Sequence, residues 1–235
     1  MNLSEKLIEA TKTKVLFEID IMGLRIPISD VVLTMWIVMA VMVGLAIFLT
    51  RNLKPVPGKR QNIAEIVVNF VNNIVKDAIG HHWRPFAPYL GTVLLFLIFA
   101  NTISIFNVIP GESFKLKPPT KNINVTACMA IMSIVLVIFA SIRFKKFSGW
   151  LKSLVKPIPI MLPFNVLEYG IKPLSLALRL YGNILGAFII MELIYLVFPP
   201  IIPAALSIYF DLFDGILQAY VFVFLTSLYI GEAVE

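Results

Sequence analysis

Charge is scarce in this chain. Only 14% of its 235 residues are Asp, Glu, Lys or Arg, while 59% are hydrophobic. A soluble domain carries roughly 25% charged residues, so a water-soluble fold is excluded and the unit of organisation is the membrane span. Cysteine is nearly absent. Cys128 stands alone, which rules out an intrachain disulfide. The two histidines, His81 and His82, are adjacent. On a helix they point about 100° apart, and no carboxylate or thiol cluster joins them, so they read as interfacial residues rather than metal ligands. A Gly-rich phosphate loop, a metal-ligand cluster and a nucleophile triad are all missing. Residues 1–30 lack a compact apolar core with a small-residue cleavage site, so no cleavable signal peptide is expected.

The charges that do occur are placed selectively. The net charge is +6, and eleven of the twenty Lys and Arg fall in segments 51–84 and 143–156, each between apolar runs. This is the distribution of cytoplasmic loops, and it argues against nucleic acid as a partner. Apolar runs at 31–50, 86–109, 122–142, 158–198 and 204–231 predict five crossings. Residues 61–80 differ. Ile63, Val67, Phe70, Ile74 and Ala78 recur at helical spacing among Asn, Glu, Lys and Asp, which predicts an amphipathic helix on the membrane surface. The expected fold is a single all-α membrane domain after an N-terminal tail (1–30). Its last two helices are long, tilted and antiparallel. Pro157, Pro159 and Pro163 mark an irregular start to the fourth run, Pro173 a bend, and Pro199, Pro200 and Pro203 the turn before the fifth. Counting basic residues on either side places the N-terminus outside and the C-terminus in the cytoplasm.

Six charges sit where lipid should exclude them. Glu168, Lys172, Arg179, Glu192, Asp211 and Asp214 all lie in the last two runs. A charge at mid-membrane costs at least about 2.5–3.5 kcal/mol, so such residues mark an ion path, a partner surface or internal ion pairs. Glu168, Lys172, Ser175, Arg179, Asn183 and Gly186 fall within roughly 40° of one helical line. Asp211, Asp214, Gln218 and Tyr229 share a face within roughly 60° if their helix is regular. Antiparallel packing then brings Gln218 to the level of Arg179 and the aspartates toward Glu192. Arg179 stands between an outer polar region (Glu192, Asp211, Asp214) and an inner one (Glu168, Ser175). Asn101, Ser104 and Asn107 add amides and a hydroxyl to the second run and read as lining of the outer access path. Gly182 and Gly186, four apart beside Arg179, admit the close approach of another helix, either within this chain or on a partner.

The run Leu174-Ser175-Leu176-Ala177-Leu178-Arg179-Leu180-Tyr181-Gly182-Asn183 resembles the signature of subunit a of the F-type ATP synthase. Leu162-Pro163-Phe164-Asn165 and Leu217-Gln218-Ala219-Tyr220 support the resemblance in order and spacing. It implies a non-catalytic stator subunit in a bacterial plasma membrane, with a ring of c subunits turning against its last two helices. Peripheral-stalk b subunits would be further partners, and no cofactor is implied. Two offset half-channels would deliver ions to ring carboxylates, with protons the default ion and sodium the alternative. Arg179 matches the essential arginine, Asn183 and Gln218 its polar neighbours, Ser175 a channel hydroxyl, Tyr229 a tyrosine of the last helix, and Glu168 a cytoplasmic-side carboxylate. Phe188 stands where many members carry an acid or histidine. Glu192, one turn on, is the substitute, and Asp211 takes a position often His or Glu. A stand-alone secondary transporter is the competing reading, but the two halves show no repeat of the kind it would need. A structural subunit whose charges only pair internally is a third.

Overall fold

A computed structural model describes residues 15–21, 24–51, 53–104, 118–155, 158–197 and 206–234. Asn107, most of the 110–121 loop and the 199–203 turn lie outside the described residues. The expected N-terminal tail contains an antiparallel hairpin, β1 (Val15–Ile21) and β2 (Leu24–Ser29). The strand signal was present in the alternation Phe17-Glu18-Ile19-Asp20-Ile21. Ser29 then caps α1 (Asp30–Thr50) by accepting from the Val32 amide at 3.4 Å. Most of α1's apolar side chains, Trp36, Met39, Val43 and Phe48 among them, face outward, as lipid contact requires.

The amphipathic segment forms α2 (Lys59–Ile79). Its buried stripe is Val71, Val75 and Ile79, while Ile63 and Phe70 of the expected apolar face stay exposed. The reason is packing on both sides. The C-terminal half of α2 docks against α3 (Ala87–Thr102) and the final helix, α6 (Gly215–Val234), and leaves its other apolar residues outward. At Gly91 of α3, an added Cβ would touch Val71 at 3.0 Å.

The predicted third span and the basic segment after it form one element, α4 (Ile123–Val155), broken by a kink at Lys146 (φ 62°, ψ 160°). Segment 143–155 is therefore helical on both sides of a left-handed residue, rather than a loop. The fourth run forms α5 (Leu162–Val197), 36 residues without a break across Pro173. That is about 54 Å of helix, too long to stand upright in a hydrocarbon core of about 30 Å. The expected bend at Pro173 does not interrupt the helix. The last run opens with a π-helical stretch, Ile208–Asp214, and continues as α6.

Among the described residues four stretches are long and apolar enough to span: Asp30–Thr50, Ile123–Val155, Pro159–Met191 and Ile208–Val234. The expected second span differs. α3 has 16 helical residues and a short turn through Ser104, and it sits in the core with Leu90, Leu94, Leu97 and Ala100 buried.

The bundle has two distinct ends. At one, the rings of His82 and Phe86 lie tilted against Phe144, with ring centres 4.6 and 6.1 Å apart, and Trp150 donates to the Tyr169 hydroxyl at 3.1 Å. Both basic segments and the end of α6 meet there. At the other end, Asn101, Thr120 and Gly215 are joined.

Candidate functional site

α5 packs through Leu176, Ala177, Leu180 and Ile184, which are all buried. Those positions recur at helical spacing, so the residues between them turn away from the bundle. Arg179 is one of these. It is exposed, on the same outer face as Leu174, Leu178, Gly182 and Asn183. Among the described residues no carboxylate lies within ion-pair distance of it. A Cβ added at Gly182 or Gly186 would meet nothing within 4 Å.

Two pairs of contacts set the direction of the last two helices. Asn183 donates to Gln218 Oε1 at 2.6 Å, and Lys172 donates to Glu232 Oε2 at 2.7 Å. Rising numbers in α5 meet falling numbers in α6, so the helices are antiparallel. Gln218 is 1% exposed, and its Nε2 has no hydrogen-bond partner among the described residues. An unpaired buried amide is costly, and this one lies one turn of α5 from Arg179, through Asn183.

At the basic end, a cavity of about 240 Å³ lies between α4, α5 and α6. Glu168, Lys172, Asn165, Tyr229, Glu232 and Lys145 are in its lining. Lys172 bridges Glu168 at 2.8 Å and Glu232 at 2.7 Å, with its ammonium 4.9 Å from the centre of the Tyr229 ring. Asn165 donates to the Leu154 carbonyl at 2.7 Å and closes the α4–α5 connection. Glu168 and Tyr229, picked from sequence, do share one compartment. Ser175, half-buried, stands between that cavity and Arg179 on the same helix line.

The opposite end is less complete. Glu192 lies near the end of α5 and Asp211 in the π-helical stretch, both described by backbone alone. Asp214 is half-buried. The wider i→i+5 ladder of Ile208–Asp214 turns each residue through a smaller angle than an α-helix. The spacing from Asp211 to Gln218 crosses this stretch and is not that of a regular helix, whereas Asp214 leads into α6 and keeps regular spacing to Gln218. Asn101 is 2% exposed, donates to the Gly215 carbonyl at 3.0 Å and accepts from Thr120 at 2.7 Å. Ser104 reaches the Asn101 carbonyl at 3.4 Å. Lys121, 8% exposed, places its ammonium 3.2 Å from the centre of the Phe188 ring.

Sequence reasoning missed Glu232, Asn165 and Lys121 as parts of these two ends. Glu232 reads as tail and Lys121 as a loop charge, because their partners are sixty or more positions away. No local spacing reveals such a pair.

These features define a polytopic helical membrane protein whose central charge faces away from the described bundle. Residues 32–231 match the family described as ATP synthase A chain. A relative from Propionigenium modestum, the ATP synthase subunit a described as sodium ion specific, is 34% identical over 217 residues, covering 88% of this chain and 75% of the relative. The chain belongs to the ATP synthase subunit a family, the ion-translocating membrane component of that complex.

Proposed function

We propose that this chain is the stator of the membrane rotor, offering two offset half-channels to the carboxylates of a c-subunit ring, with Arg179 between them. The observation that carries this reading is the outward Arg179, without an ion-pair partner among the described residues, beside two glycines with open space above them. A guanidinium stays charged at any working pH. A ring carboxylic acid arriving beside it has its ionised form stabilised and sheds its bound ion. The same fixed charge repels cations that would leak from one half-channel to the other.

The inner path starts at the cavity of Glu168 and Tyr229 and reaches Arg179 past Ser175. The outer path uses Glu192, Asp211 and Asp214, with Asn101, Ser104 and Asn107 in its wall. Asn183 and Gln218 tie α5 to α6 at the level where the ring passes. α3 makes the fifth crossing, from the basic end to the other. The basic end lies in the cytoplasm of a bacterium and the N-terminal hairpin outside, because positively charged segments stay on the cytoplasmic side. The b subunits of the peripheral stalk are the remaining partners.

The coupling ion is the proton. The name of the relative from Propionigenium modestum favours a second reading, sodium. Since the ion-carrying carboxylate lies on the ring, this chain serves either ion with the same Arg179 chemistry.

Purified chain in vesicles without a ring should conduct no ion, and adding the ring should restore flux that a carboxylate-directed inhibitor blocks. Ion flux by the chain alone would instead support a stand-alone transporter.

A further inference from the structure

The cavity at the basic end contains a charge arrangement that the role of Arg179 does not use. Four charged groups line it: Lys145 from α4, Glu168 and Lys172 from α5, and Glu232 from α6. Among the described residues two ammonium groups and two carboxylates line it, so their formal charges balance. Lys172 is its hub. It donates to both carboxylates, at 2.8 and 2.7 Å, and its side chain is 18% exposed against 54% for Glu168 and 61% for Glu232. Glu168 is one turn from Lys172 on the same helix and would pair with it in isolation. Glu232 comes from the last turn of α6, sixty residues away, and its bond draws the ammonium across the cavity toward Tyr229.

The position of this trio matters. Lys172, in the cavity lining, is followed by Ser175 and Arg179 at spacings of three and four along one helix line. Glu168 lies about 16 Å from Arg179 along the axis. On the stator reading, an ion travelling between this end and Arg179 passes the trio.

We propose that Glu232, Lys172 and Glu168 together set the electrostatic potential at the mouth of the inner half-channel, with Glu232 acting as a positioning residue that holds the Lys172 ammonium across it. This deepens the stator reading and rests on it. With Lys145 counted, the trio leaves the mouth close to neutral for a cation. Removing one carboxylate leaves an excess positive charge that repels cations, and removing the ammonium leaves an excess negative charge that attracts them. A purely structural ion pair predicts something else. Breaking it from either side loosens the same two helices and shifts activity in the same direction.

The test uses the whole complex in vesicles, measuring ATP-driven pumping, and then passive ion flux through the membrane sector at low salt. Glu232→Gln should lower passive flux roughly three- to tenfold, the effect of one uncompensated charge in a partly wet cavity. Lys172→Gln should raise it. The double reversal Lys172→Glu with Glu232→Lys should return flux toward wild type. All three differences should shrink as salt shortens the screening length to about 8 Å or less. Equal losses in both single variants with no salt dependence would overturn the proposal, as would wild-type flux in both. Arg179→Ala, measured in parallel, separates the two levels. If that variant pumps normally, the stator reading itself fails. If it is inactive while Glu232→Gln and Lys172→Gln conduct as wild type, only the present inference fails.

Discussion

Arg179 gains its meaning from where it points. An arginine in an apolar helix that merely held a bundle together would turn inward to a carboxylate. This one turns outward, on a face with Leu178, Gly182 and Asn183. Such a placement is costly in lipid, by several kcal/mol on most estimates, and becomes favourable only against a partner that brings negative charge. Gly182 provides a direct check at this scale. With nothing within 4 Å of its Cβ position, Gly182→Leu should leave insertion and cellular level of the chain near wild type, since removing a mid-helix glycine even favours helix by up to about 1 kcal/mol. ATP-driven pumping should nevertheless fall at least tenfold. Loss of the chain itself, seen on immunoblots, would show that Gly182 serves internal packing. Arg179, Asn183 and Gln218 were legible in the sequence because charged and amide residues inside apolar runs have few uses. Glu232 and Lys121 were not, because each acquires its role only through a contact made by the fold.

At the scale of elements, hydrophobic runs predicted the long helices well, since lipid requires every backbone group to be satisfied within the segment. The departures have specific causes. Segment 143–155 is polar enough to read as a loop, yet it continues α4 beyond the left-handed Lys146, where Trp150 reaches Tyr169. The π-helical Ile208–Asp214 looks like ordinary helix in sequence, so the expected regular spacing fails from Asp211 to Gln218 and holds only from Asp214 on. The hairpin 15–29 does alternate polar and apolar residues, and reading it as tail overlooked that. Two substitutions probe the element contacts. Asn101→Ala removes a tie from α3 to the Gly215 carbonyl and to Thr120. It should destabilise the purified complex by about 1 kcal/mol, the usual size for an interhelical hydrogen bond in a membrane, read as a lower unfolding midpoint in a denaturing-detergent titration. Gly231→Ala should be more damaging. Its Cβ would lie 2.7 Å from the Ala78 carbonyl oxygen and 3.5 Å from Ile79 Cα, backbone atoms that cannot rotate aside. The expected result is a clear drop in assembled complex, whereas Gly170→Ala, with open space around it, should have no such effect.

At the scale of the whole molecule, the chain has a basic end, an opposite end reached by α3, and a charged outer face between them. On the stator reading, these parts make up an ion route that a second component completes. The identity of the ion is testable on the intact complex. With protons as coupling ion, ATP-driven uptake of radioactive sodium into vesicles should disappear when a protonophore is added. Uptake that survives the protonophore would assign sodium instead. The central claim, that Arg179 separates two half-channels and acts on a partner carboxylate, is tested most directly by ATP-driven ion pumping in vesicles carrying Arg179→Ala. The predicted result is no pumping from a complex whose subunits still copurify in wild-type proportion. Pumping at the wild-type rate by that complex would contradict it.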